Sequence, residues 1–125
     1  MKTVLLVDSD LGFAFWLGHA LDQAGYEALP ARTVADALKL LAELQVTVDL
    51  VIVNVAIPAT DSLIAALRAD QPLLKVIAVY DAPSLGGPFA GADAVRAKPS
   101  IVDENTRTEW VEAVKTVFGT RFASN

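Results

Sequence analysis

The stretch Asp49-Leu50-Val51-Ile52-Val53-Asn54 decides the fold of this chain. Its central residues are apolar and mostly β-branched, and they lie between an acid and an amide. This pattern predicts a short strand that is buried on both faces, which is typical of a parallel sheet covered by helices on both sides. The strand therefore belongs in the middle of an α/β sheet, with Asn54 at its carboxyl end.

Short apolar runs and amphipathic patterns alternate along the rest of the chain. The runs predict strands at residues 3–7, 26–29, 50–53, 74–79 and 94–97, and the patterns predict helices at 11–24, 34–44, 61–69 and about 103–119. Gly25 is expected to end the first helix, Thr33 to cap the second, and Asp61 or Ser62 to cap the third. The second helix is expected to turn its apolar residues toward the core: Ala35, Leu38, Leu41 and Ala42.

Residues 82–91 depart from this alternation. The segment contains two prolines and three glycines. Proline breaks helix interiors and glycine weakens them. We therefore expect a loop or one irregular turn, so that the helix between the fourth and fifth strands is irregular or missing.

These elements predict a three-layer, doubly wound α/β domain with a five-stranded parallel sheet. Such folds bind their ligands at the carboxyl ends of the strands, near the point where the strand order switches. The rule selects four positions as candidate site residues before any resemblance is considered: Asp8-Ser9-Asp10, Asn54, Tyr80-Asp81 and Lys98.

Composition limits the classes of function. The 125 residues are 54% hydrophobic and 20% charged, which fits one globular domain over residues 1–125. A net charge of −5 argues against a nucleic-acid partner, and the lack of cysteine excludes disulfides and thiolate metal sites. The apolar N-terminal run ends at Asp8, too soon for a signal peptide or a membrane span. We expect no membrane association and a cytoplasmic location.

Five motifs occur in a fixed order along the chain: Leu5-Leu6-Val7-Asp8-Ser9-Asp10, Gln23-Ala24-Gly25-Tyr26-Glu27, the stretch from Asp49 to Pro58, Gly91-Ala92-Asp93 and Lys98-Pro99. Together they resemble the receiver domain of bacterial response regulators, over nearly the whole chain. The resemblance implies a flavodoxin-like, receiver-type sheet and a role in two-component or phosphorelay signal transduction.

The resemblance also implies which positions form the phosphorylation site. Receiver domains bind magnesium with a pair of acids after strand one and phosphorylate an aspartate after strand three. A Ser or Thr after strand four and a lysine after strand five contact the phosphoryl group, and an aromatic residue in strand five moves with the switch. The corresponding positions here are Asp8 and Ser9, Asn54, Tyr80, Lys98 and Val95. Only Asp8 and Lys98 are of the expected type.

Each departure has a chemical consequence. A neutral amide is a far poorer nucleophile than a carboxylate, so Asn54 removes the phosphoacceptor and no catalytic residue is expected. Magnesium favours carboxylate oxygens. With Ser9 and Asn54 in place of acids, Asp8 faces Lys98 in a site that is close to neutral, and we expect magnesium binding to be weak or absent. Asp8 is then expected to cap the first helix or to pair with Lys98.

Two further hypotheses concern packing and surface. Tyr80 is larger than Ser or Thr and Val95 is smaller than Tyr or Phe, so the Tyr80 ring is expected to fill the volume that the missing aromatic leaves. Leu11 and Phe15 lie away from the core face of the first helix and are candidates for a partner or dimer surface.

The sequence therefore predicts an atypical receiver domain that acts as a phosphorylation-independent interaction module, with a signalling protein or a second copy as its partner. The alternative is a small-ligand sensor that uses the strand-end cleft near Asp8, Asn54, Tyr80 and Lys98. An enzyme ranks below both, because no nucleophile–base pair or cofactor-binding loop is visible.

Overall fold

A computed structural model describes residues 1–81, 91–100 and 102–119. In chain order the elements are β1 (Thr3–Val7), α1 (Leu11–Gln23), β2 (Glu27–Ala31), α2 (Val34–Leu44), β3 (Leu50–Asn54), α3 (Thr60–Asp70), β4 (Lys75–Tyr80), β5 (Ala94–Ala97) and α4 (Glu104–Gly119). The irregular or missing helix expected at 82–91 falls almost wholly on residues 82–90, outside the described residues. Within the described ranges, no helix combines the length and apolar character needed to cross a membrane.

The five strands form one parallel sheet in the order β2-β1-β3-β4-β5. The order reverses direction at β1, next to β3, as the predicted doubly wound fold requires. The carboxyl ends of β1 and β3 therefore flank the switch point. The predicted fold class is confirmed, with β1, β3 and β4 inside the sheet as their apolar sequences indicate.

Helices cover both faces of the sheet and bury two separate clusters. One cluster packs α1 and α4 against alternate strand residues, and its largest buried side chains include Leu17, Leu21, Trp110 and Val114. The other packs α2 and α3 against the remaining strand residues, and includes Ala37, Ile57, Leu63 and Ile64. Because successive residues of β1 and β3 enter opposite clusters, these strands are apolar throughout.

Strand β2 runs from Glu27 to Ala31. The prediction of 26–29 ended the strand before Pro30, whereas the observed strand continues through this proline. The amide nitrogen of Glu27 donates to the Lys2 carbonyl, and that of Asp8 donates to the Ala31 carbonyl. The alternation of a parallel ladder turns the nitrogen of Pro30 to the outer edge of the sheet, where no donor is needed. A proline is therefore compatible with this edge strand.

Helix α3 begins without the side-chain cap that Asp61 or Ser62 was expected to provide. Ala59 occupies the cap position with a φ of 68°, and no side chain caps the helix. A turn closed by the Ile57 amide and the Asn54 carbonyl sets the path into the helix. Asp61 and Ser62 consequently lie inside the first turn. The predicted end of α1 and the predicted cap of α2 are confirmed. Gly25 lies one residue after the C-cap Ala24 with a φ of 96°, and the Thr33 side chain accepts from the Asp36 amide.

The core face of α2 is narrower than its apolar pattern predicts. Ala37 is its one fully buried residue, and Val34 and Leu41 pack partly against the core. Ala35, Leu38 and Ala42, which were expected to be buried, are exposed. The helix lies beside β2 at the edge of the sheet, where there is less surface to cover. Its other leucines are therefore left partly in solvent.

Candidate functional site

The predicted strand-end residues meet at one edge of the sheet. Asp8 directly follows β1, Asn54 ends β3, Asp81 follows β4, and Lys98 follows β5. Asp8 and Asn54 are each 3% exposed, so the floor of the site is closed to solvent. The fold brings these four side chains together from positions up to 90 residues apart.

The ammonium group of Lys98 lies at the centre of the site. Its Nζ is 3.0 Å from Asp8 Oδ2, 3.2 Å from Asp81 Oδ1 and 3.5 Å from Asp10 Oδ2. The same nitrogen lies 5.1 Å from the centre of the Phe13 ring, close enough for a cation–π contact. Lys98 is therefore held by three carboxylates on one side and an aromatic ring on another.

Asn54 completes this network because its amide both donates and accepts. Its Nδ2 donates to Asp8 Oδ2 at 3.3 Å and, at 3.5 Å, to Asp81 Oδ1, while its Oδ1 accepts from the Ala56 amide at 2.9 Å. The backbone amide can only donate, so this contact fixes the orientation of the side chain. An aspartate in the same place would set an oxygen without a proton against two carboxylates. The local network is thus matched to asparagine.

The acids after β1 also hold the backbone around the site. Asp8 Oδ1 accepts from the Asp10 amide at 2.9 Å, and Asp10 Oδ1 caps α1 by accepting from the Phe13 amide at 3.2 Å. The amide of Asp8 donates to the Ala31 carbonyl at 3.0 Å. Asp8 therefore pairs with Lys98, as expected, while the cap of α1 comes from Asp10.

The charge of the site differs from the near-neutral pair that the sequence suggested. Three carboxylates face one ammonium group, which leaves two formal negative charges in excess. Burial lowers the pKa of Lys98, but its hydrogen bonds and charge interactions with Asp8 and Asp81 outweigh this and raise the pKa above 10.5. The lysine therefore stays protonated at neutral pH and supplies the cation of the site.

The arrangement does not fit a bound magnesium ion. Lys98 Nζ lies within 3.5 Å of the carboxylates of Asp8, Asp10 and Asp81, so a metal ion that bound these groups would compete with the ammonium. Across residues 1–81, 91–100 and 102–119, no group of three or more acidic, histidine or cysteine side chains is placed to hold a metal ion. Weak or absent magnesium binding stays a prediction, with a physical reason in the position of this lysine.

The remaining predicted residues surround this cluster. Ser9 is exposed and makes none of the contacts just described. Tyr80 is half-buried and pairs with Ala97, whereas Val95 is 47% exposed and pairs with Ala78. Tyr80 and Val95 point to the same face of the sheet, Tyr80 from the carboxyl end of β4 and Val95 from the edge strand β5. The expectation that the Tyr80 ring fills the volume left by the missing aromatic at Val95 therefore concerns the border of the sheet, and it stays a prediction.

Leu11 and Phe15 lie together on the surface, as the partner-surface prediction requires. They line a groove of about 330 Å³ with Pro30 and Leu40, which the sequence reading did not select. Both missed residues lie on neighbouring elements, and their nearness to Phe15 depends on how α1 and α2 pack beside β2. The sequence signals that could have found them are the proline in an edge strand and the excess of leucine in α2.

Comparisons with solved structures give the same architecture over nearly the whole chain. A putative response regulator from Chloroflexus aurantiacus J-10-fl is 26% identical and matches with a TM-score of 0.73, over 93% of this chain and 96% of that one. A CheY-like receiver domain protein from Methanospirillum hungatei JF-1 is 21% identical, with a TM-score of 0.74 over 100% and 99% of the two chains. CheY4 of Vibrio cholerae is 20% identical, with a TM-score of 0.73 over 94% and 98%.

No protein-family model matches the sequence, and no curated protein matches it. The likeness therefore lies in the fold and in the order of the motifs along it. The strand order, the alternating helices and the coverage agree with the resemblance that the five motifs carry. The chain has the fold of CheY-like response-regulator receiver domains.

Proposed function

We propose that this chain is an atypical receiver domain of two-component signalling, which lacks a phosphoacceptor and acts as a phosphorylation-independent protein-interaction module. The structural neighbours named above are described as response regulators or receiver domains, which supports the signalling role. The finer part of the proposal rests on this chain's own residues.

One observation carries it: the amide of Asn54 and the ammonium of Lys98 occupy the strand-end site together. Asn54 Nδ2 reaches Asp8 at 3.3 Å, and Lys98 Nζ reaches the same carboxylate at 3.0 Å. A phosphorylated receiver needs a nucleophilic oxygen at the end of β3 and a cation that neutralises incoming charge. Here the oxygen is replaced and the cation is already paired, so no phosphoryl group biases a two-state equilibrium.

We expect the acids of this ion network to hold the neighbouring surface in one arrangement. The Asp10 side chain caps α1 by accepting from the Phe13 amide, and the Asp8 side chain accepts from the Asp10 amide just before that helix. Partner binding would then depend on the concentration of each protein and not on a modification. We expect the partner to be a signalling protein or a second copy, and we expect no catalysis.

The test is exposure to a phosphate mimic. The protein is incubated with magnesium and beryllium fluoride, and separately with a small-molecule phosphodonor, and is followed by amide NMR and intact mass. We expect no phosphorylated species and no saturable shifts at Asp8, Asn54 or Lys98. Asn54→Asp is the gain-of-function variant, and Asn105→Asp on the exposed surface of α4 adds the same charge outside the site.

A response in the Asn54→Asp variant that is absent from the Asn105→Asp variant would show that residue 54 alone blocks the chemistry. Saturable binding or phosphorylation of the unsubstituted protein would overturn the proposal. The chain would then be a conventional receiver controlled by phosphorylation.

A small-ligand sensor is the second candidate, and a cavity beside Lys98 favours it. The cavity has a volume of about 460 Å³ and lies between β5 and α4, with Lys98, Thr106, Glu109 and Trp110 among its lining residues. Of the four residues predicted to hold a ligand, Lys98 lines this cavity. A rise in melting temperature with a small organic anion, lost in a Lys98→Met variant, would support this reading.

A further inference from the structure

The groove at the α1–β2–α2 edge combines an apolar floor with a charged rim. Its apolar lining comes from Leu11 and Phe15 of α1, Pro30 of β2 and Leu40 of α2. Arg32 and Asp36 form its rim and are both exposed. Phe15 is 59% exposed although it lines this apolar groove. We call this surface the α1–α2 groove.

The groove is not built to receive another strand. The nitrogen of Pro30 faces the outer edge of β2, so a chain laid along that edge loses one of the donors it would need. The strand itself is five residues long, which shortens any ladder further. An occupant must therefore bind through side chains, against the helices on either side of the edge.

The surface is self-complementary in shape. Phe15 projects from α1 and also forms a wall of the groove, so the same face carries both a protruding ring and a depression beside it. In a two-fold arrangement each surface patch meets its own copy, and a ring from one molecule enters the depression of the other. Phe15 still exposes 59% of its surface, and such a contact would remove that remaining aromatic area from water in each copy.

The surface is self-complementary in charge as well. Within the described part of the chain, neither Arg32 nor Asp36 has an ion-pair partner, although each lies at the rim. In a two-fold dimer with its axis through the groove, Arg32 of one copy would meet Asp36 of the other, and the reverse pair would form at the same time. An unrelated partner would have to supply both signs in the matching order.

We infer that the α1–α2 groove is a homodimerisation surface, in which Phe15 of each copy packs into the groove of the other and Arg32 pairs with Asp36 across the two-fold axis. The inference rests on the proposed function, since it names the partner of the interaction module. It also connects the two sites, because the Asp10 side chain, which contacts Lys98, caps α1, the helix that carries Leu11 and Phe15.

Sedimentation equilibrium over a range of concentrations tests the inference. The wild-type mass is expected to rise from that of one chain to that of two. Phe15→Ser should raise the dimer dissociation constant about tenfold or more, because a central aromatic contact is lost from both halves. Leu73→Ser is the matched control, since Leu73 is equally apolar, is strongly exposed and lies at the opposite end of the strands. It should leave the constant unchanged.

A charge exchange tests the arrangement itself. R32E and D36K each place like charges together at both contacts, so each should dimerise more weakly than the wild type. A mixture of R32E with D36K places opposite charges together at both contacts, and heterodimers should form at close to wild-type strength. Circular dichroism confirms that each variant is folded.

Three results would overturn the inference: a wild type that stays monomeric up to about 1 mM, where even weak dimers form; a dimer that Phe15→Ser leaves intact; or a mixture no more dimeric than its separate variants. None of these three results would change the outcome expected in the phosphate-mimic experiment, so the proposed function would still stand. Conversely, a saturable beryllium fluoride response in a protein that passes the charge exchange would remove the proposed function and keep the dimer.

Discussion

Lys98 is the residue on which the strand-end site depends. It lies within 3.5 Å of carboxylates from Asp8, Asp10 and Asp81, and Asn54 donates to two of the same groups. This lysine therefore pairs with acids that follow two other strands, β1 and β4. Its charge stabilises these carboxylates, so replacing the lysine should show how much these ion pairs contribute to the free energy of unfolding.

Lys98→Met is expected to lower the free energy of unfolding by about 1–3 kcal/mol, because Asp8 is buried and loses its cation. The same change should strengthen magnesium binding, since these carboxylates lose the cation that competes with the metal. Urea denaturation with and without magnesium measures both effects, and Lys39→Met on the exposed face of α2 is the control. Equal stabilisation of wild type and variant by magnesium would contradict the view that Lys98 excludes the metal.

The raised pKa of Lys98 gives this contribution a defined pH range. The folded pKa lies above the unfolded value of 10.5, so the stabilisation is complete below that value and is lost as the pH rises through the folded pKa. The difference in unfolding free energy between wild type and Lys98→Met should stay level from pH 7 to about pH 10 and shrink above it. A difference that shrinks between pH 7 and pH 9 would show that another group controls the site.

At the scale of elements, Arg68 of α3 forms hydrogen bonds to the segment that leads into β5, and we call these contacts the Arg68 clamp. Arg68 donates to the Leu74 carbonyl at 2.9 Å, to the Gly91 carbonyl at 2.7 Å and to Asp93 at 3.1 Å. Asp93 in turn accepts from the Val76 amide at 2.8 Å. Strand β5 has four residues and is mostly exposed, so we expect this Arg68 clamp to add to the parallel ladder that holds β5 to β4.

Gly91 is the tightest point of the clamp. Its φ is 86°, and an added Cβ would lie 2.7 Å from Arg68 Nη1. Gly25 has a φ of 96° but open space around it. An alanine at this position would therefore show the free-energy cost of the positive φ alone, without a steric collision. Gly91→Ala should therefore destabilise the fold by more than Gly25→Ala, which itself should cost about 1 kcal/mol.

Chemical denaturation of the two glycine variants compares these costs, and hydrogen exchange locates the extra loss in β5 and the end of β4. Equal destabilisation would mean that Arg68 moves aside freely and does not clamp the strand.

At the scale of the whole molecule, the sheet separates two buried clusters that share their strands. Both tryptophans belong to the α1 and α4 side, where Phe13 lies 6.1 Å from Trp16 and 5.5 Å from Trp110, between ring centres. Leu63 belongs to the α2 and α3 side. Tryptophan fluorescence thus reports on one face of the sheet, while the other face can be perturbed separately.

A single cooperative domain predicts that the two faces unfold together. Leu63→Ala should cost about 2–5 kcal/mol, because a buried side chain leaves a cavity, and it should shift the fluorescence midpoint as far as the far-ultraviolet dichroism midpoint. Leu17→Ala is the matched change on the tryptophan side. If Leu63→Ala left the fluorescence midpoint unchanged, residues 1–125 would consist of two units that unfold separately and not of the expected single domain.

The sequence by itself determined the element order, the parallel sheet and the strand-end position of Asp8, Asn54, Tyr80 and Lys98. These follow from local apolar periodicity and from the rule that parallel strands end at one edge, so they need no knowledge of packing. Tertiary structure alone decided three things that depend on the distance between remote residues. It turned Asp10 and Asp81 onto Lys98, left most of the apolar residues of α2 partly exposed beside an edge strand, and placed Pro30 and Leu40 next to Phe15. Periodicity records which residues avoid water, but it does not record how much surface a neighbouring element has available to cover them.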